Sequence, residues 1–117
     1  MHDEMFVIKE NMLNMIKYSK LEYNEYKSTH EIVYLQQAGE KLFNAIEGYI
    51  SVINNIQIQY FQHARKLIKE KALMKLLYDG RTLHRFFYNA ENELLVNEAE
   101  ELYLSVKERI ELRVKVI

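Results

Sequence analysis

The chain has 117 residues, 49% of them hydrophobic and 28% charged, and a net charge of −1. That length suits one domain spanning residues 1–117 around one core, since chains of this size bury roughly two-thirds of their unfolded surface. There is no cysteine, which excludes a disulfide framework and a thiolate nucleophile. With no proline and three glycines, the punctuation of β-rich folds is missing too, so an all-helical domain is expected.

The first ten residues, MHDEMFVIKE, are too acidic and too short of apolar residues for a signal peptide, and no run of ~18 apolar residues follows. The expectation is a soluble, cytoplasmic protein without membrane contact. In chain order, the first helix is predicted to begin near Asp3, with Met12, Met15/Ile16, Ser19, Tyr23 and Tyr26 recurring on one face. Its Met content suits irregular packing, and its tyrosine-rich second half is placed towards an edge. Ser28 and Glu31 have the S-x-x-E spacing of a capping box. A short break over Lys27–His30 then makes the first two helices antiparallel neighbours.

The second helix carries the strongest pattern. Leu35, Leu42, Tyr49 and Ile56 fall seven apart, with Ala38/Gly39, Ala45/Ile46 and Val52/Ile53 between them. This is the seam of a central helix. Asn54 and Asn55 are weak helix formers, so a turn is expected there. A third helix then points Tyr60/Phe61, Ala64, Leu67/Ile68, Ala72 and Leu76/Leu77 inward, with Arg65, Lys66, Lys69 and Lys75 outward.

Asp79-Gly80 reads as the stop of that helix, because glycine supplies the left-handed residue that ends helices. A short helix anchored by Leu83, Phe86 and Phe87 follows, then a loop over Glu91–Val96. Asn97 with Glu100 repeats the capping pattern and opens a last helix to about Val116, with Ala99, Leu102, Val106, Ile110 and Val114 inward. The expected fold is an all-α antiparallel bundle of four long helices plus a short helix in fourth position.

Charge is uneven along the chain. Residues 63–85 hold seven Lys/Arg against Glu70 and Asp79, while residues 91–111 hold seven Glu against Lys107 and Arg109. The two segments are expected to pack side by side or to pair across a subunit interface. The sharper alternative is a basic binding face.

Chemistry is sparse. His2, His30, His63 and His84 lack ligand spacing, so no metal site is expected. Neither a glycine-rich phosphate loop nor a serine elbow is present, and no catalytic residue or cofactor is assigned. The one constellation with binding character is basic and aromatic. Arg81, His84, Arg85 and Tyr88 come near Arg65, Lys66 and Lys69 if the third and short helices fold against each other, which is how single-stranded nucleic acid is held.

Two segments carry a resemblance. QQAGEKLFNAIEGYI at 36–50 resembles the QAsEKlykAaEeavK segment of the archaeal paREP family, and LHRFFYNAENELLVNEAEELYLSVKERI at 83–110 is similar to that family's LHxxFY segment and closing helix. The matching positions are Gln37, Glu40, Lys41, Ala45, Leu83, His84 and Phe87, which adds Glu40 and Lys41 to the candidate binding residues. The resemblance implies a HEPN-like helical bundle without an assigned activity. HEPN ribonucleases resemble one another in an Arg followed by a His with four to six residues between, usually at a dimer interface. Here Arg81 and His84 have only two between, which speaks against that activity. The function expected is non-enzymatic, through self-association as a homodimer and binding of a protein partner. A nucleic-acid-binding or degenerate ribonuclease component of a toxin–antitoxin-type system is the alternative.

Overall fold

The computed structural model describes the backbone of residues 2–59, 71–88 and 93–117, and the side chains of 6–53, 71–87 and 96–117. Among these residues there are four helices and no strand: α1 (His2–Thr29), α2 (Ile32–Gln59), α3 (Lys71–Tyr88) and α4 (Glu93–Lys115). The expected helical positions 60–70, with Tyr60, Phe61, Ala64 and the basic Arg65, Lys66 and Lys69, lie outside the described residues.

Cross-helix contacts set the topology. Glu22 bonds Lys41, Gln36 bonds the carbonyl of Phe86, Asp79 bonds Arg109, and Tyr23 bonds Glu100. Together with Gly48 against Met12, Gly80 against Ile46 and Lys9 on the Lys115 carbonyl, these make each sequential pair antiparallel, and α4 antiparallel to α1. The bundle runs up, down, up, down. α2 packs on α1, α3 and α4 alike, so the seam predicted for it is the centre of the core. Leu35, Leu42 and Tyr49 are all buried; the side chain of Ile56 is not among those described.

Four local expectations are corrected. The first is the turn at Asn54-Asn55, through which α2 continues to Gln59. Two Asn cost about 1 kcal/mol of helix propensity together, less than burial of a single Val or Ile returns, and Val52 and Ile53 are buried just before them. The second is the stop at Asp79-Gly80. α3 runs straight through it, and Gly80 does not have positive φ. Its small size has another use: a Cβ there would stand 2.6 Å from Ile46 Cδ1 and 3.4 Å from Phe43 Cδ1. Gly80 lets α3 lie against α2.

The third correction concerns caps. Ser28 is inside α1 and Asn97 inside α4, so neither capping box forms. The break between α1 and α2 falls at His30 and Glu31, at the end of the expected Lys27–His30 window, and Thr29 makes it. Its Oγ1 donates to the Glu25 carbonyl at 2.9 Å and accepts the Glu31 N–H at 3.2 Å. His30, at φ 60°, closes α1 with a bond from its N–H to the Tyr26 carbonyl at 2.7 Å; this is a left-handed cap without glycine. The fourth is register. In α3 Ala72 is exposed and Leu73 buried, and in α4 the largest fully buried side chain is Tyr103, with Leu102 only half-buried.

The tyrosine-rich half of α1 is packed rather than peripheral. Tyr26 is buried, and Tyr23 stacks on Tyr103 with centroids 4.8 Å apart and planes 19° from parallel. None of the described helices is long and apolar enough to cross a membrane.

Candidate functional site

The candidate residues divide between the seams of α2 and the outer surface of α3. Those on the polar side of α2 reach across to its neighbours. Lys41 Nζ lies 2.9 Å from Glu22 of α1, and the Gln37 amide, oriented to donate, meets the same carboxylate at 2.9 and 3.2 Å. Glu40 takes the other side and accepts from His84 Nδ1 of α3 at 2.7 and 3.0 Å. An ionised carboxylate only accepts, so Nδ1 carries the proton. The His84 ring also lies 4.7 Å from that of Phe43. Glu40 and His84, from the two separate segments that carry the family resemblance, thus meet in one contact.

Asp79 is buried at 5% exposure, with Arg109 Nη2 at 2.7 Å and Lys75 Nζ at 3.3 Å. A carboxylate so placed is held by its cations. The described parts of the 63–85 and 91–111 segments do pack side by side, as α3 on α4, but not through basic α3 on acidic α4. Among the described residues the ion pair joining α3 to α4 is acidic on α3 and basic on α4. The α4 carboxylates Glu100 and Glu111 instead turn to Lys27 and Lys20 of α1. Hydrogen bonds from Tyr23, then Lys27, hold Glu100 below the usual carboxylate range; Lys20 does the same for Glu111.

The outer surface of α3 carries what remains of the basic and aromatic constellation. Arg81 and Arg85 are exposed there with Lys71, Lys75 and Tyr78, and Arg85 Nη2 donates to Thr82 Oγ1 at 3.3 Å. Because α3 is one helix, the expected folding back of a short helix onto the third does not occur. His84 points to α2 instead of joining Arg81 and Arg85. The side chain of Tyr88, like Arg65, Lys66 and Lys69, falls outside the described residues.

Beside this surface, between α3 and α4, is a cleft of about 340 Å³. Leu83, Phe86, Ala99 and Leu102 form an apolar lining, while Thr82 and Arg85 on one side and Glu98 on the other supply its polar groups. Sequence reasoning had selected Arg85 alone for binding. Thr82 and Glu98 were legible only as parts of four-and-three spaced stripes on two helices whose pairing was not known. Among the described residues, no group of three or more His, Asp or Glu could hold a metal ion. No protein-family model, curated protein or solved structure matches this chain.

Proposed function

We propose that this chain is a non-enzymatic, HEPN-like bundle of the paREP type, a cytoplasmic protein that acts by self-association, as a homodimer, and by binding a protein partner. The observation that carries this reading is how its polar side chains are used. Glu40 with His84, and Lys41 and Gln37 with Glu22, join helix to helix, whereas Tyr78 and Leu112 stand 60% and 62% exposed on α3 and α4. Chemically capable groups hold the scaffold, and large apolar ones face outward, where they add contact area for a second protein. Sedimentation velocity at rising concentration tests it: a dimer is expected, and a monomer throughout contradicts self-association.

A second reading has an observation of its own. Lys71, Lys75, Arg81 and Arg85 are exposed on α3 with Tyr78, and the acidic residue of that helix, Asp79, is buried. That surface suits a phosphate backbone with base stacking. RNA binding through it would weaken steeply with salt and be lost on Arg85→Glu; binding insensitive to both would dismiss it.

A further inference from the structure

The α3–α4 surface carries two parallel stripes of opposite charge. On α3, Lys71, Lys75, Tyr78, Thr82 and Arg85 follow at steps of four and three; on α4, Glu98, Glu101, Ser105, Glu108 and Leu112 do the same. All are exposed except half-buried Thr82. Thr82, Arg85 and Glu98 border one cleft, so the stripes flank it on one face of the bundle. The Asp79–Arg109 bond fixes their relative height. In antiparallel register it brings Arg85 within a turn of Glu101, and Thr82 within a turn of Ser105.

We infer that this face binds a second copy of the chain, with the basic stripe of α3 laid on the acidic stripe of α4 of the other copy. The inference rests on the self-association proposed above and gives it a surface and a symmetry. Two such faces can meet about a two-fold axis in two ways. An axis across the helices sets α3 on α3 and α4 on α4, like charge on like. An axis along the helices sets α3 on α4 at the same height, twice over. Arg85 then faces the second copy's Glu101, Tyr78 faces the turn of its Glu108, and Lys75 comes beside its Leu112. Charge complementarity selects the second arrangement, and the covered surface includes the mouth of the apolar cleft. Ion pairs from basic α3 to acidic α4 residues, not found within one chain among the described residues, then form between chains, the alternative expected from the sequence.

The test uses two variants of the full chain, Arg85→Glu and Glu101→Arg, with circular dichroism and melting to verify folding and Arg85→Gln as a milder control. In sedimentation each reversal alone weakens the dimer by about tenfold or more, because like charges then face each other at both copies of the contact. Mixing the two variants restores a heterodimer, since both contacts become complementary again; Arg85→Gln weakens less than Arg85→Glu. A wild-type dimer whose affinity neither reversal changes places the interface on another face and overturns this inference while leaving self-association intact. A wild-type monomer overturns both.

Discussion

His30 holds a left-handed backbone, φ 60°, at the end of α1. A side chain in that region costs roughly 1–2 kcal/mol that glycine avoids. We predict that His30→Gly raises the unfolding free energy by about 1 kcal/mol in urea titrations; a loss of stability would show that the ring's edge contact with Tyr26 outweighs the strain. Tyr103 makes a second prediction. Its hydroxyl lies 3.1 Å from Ser19 Oγ, and Ser19 donates its own proton to the Ile16 carbonyl at 2.7 Å, so Tyr103 is the donor between them. Burial pushes the phenol up to about 12 from 10.0. The folded protein therefore keeps a proton that the unfolded chain has lost, and stability is whole below pH 10 and falls as pH rises to 12, by about 2–3 kcal/mol. Tyr103→Phe should cost about 1 kcal/mol at pH 8 and remove much of the alkaline loss; an unchanged alkaline slope would contradict the assignment. Sequence pattern preferred Leu102 to Tyr103 because a tyrosine is buried only when its hydroxyl finds a partner, and Ser19 is 84 residues away.

At the scale of the element, Gly80 shows how a local rule yields to packing. Asp-Gly ends helices when glycine takes positive φ, whereas here the space glycine leaves brings α3 onto α2. Gly80→Ala adds up to about 1 kcal/mol of helix propensity, but its methyl meets Ile46, which is fully buried and has little room to give. We predict a net loss of about 1 kcal/mol in chemical denaturation, overpacking exceeding propensity. A stabilised variant would mean that the helices are further apart. On the seam of α2, Leu42→Ala should cost ~2–5 kcal/mol, and a near-neutral result would contradict its place in the core. The sequence made the long helices legible because periodic burial repeats over many turns, as in Leu35, Leu42 and Tyr49. It misplaced the caps at Ser28 and Asn97 because the spacing of a capping box also occurs by chance inside helices.

For the whole molecule, the legible part was that opposite charges are concentrated in two segments; the arrangement depended on helix facing. Among the described side chains, α4 divides its acids between two edges. Glu100 and Glu111 hold α1, whereas Glu98, Glu101 and Glu108 are on the stripe beside α3. Composition counts all of these together, and only the pairing of helices separates scaffold from surface. The same holds for His84, grouped by sequence with Arg81 and Arg85 but turned by the fold onto Glu40. The central claim is that the α3–α4 face joins two copies with α3 on α4, and disulfide trapping reads that geometry directly, because the chain has no cysteine of its own. Thr82→Cys and Ser105→Cys are small changes on the two stripes that leave every charge in place. When the two variant chains are mixed and oxidised, the account predicts a crosslink between position 82 of one chain and position 105 of the other, formed in preference to 82–82 or 105–105. A predominance of 82–82 crosslinks, or a dimer in which neither position crosslinks, would contradict it.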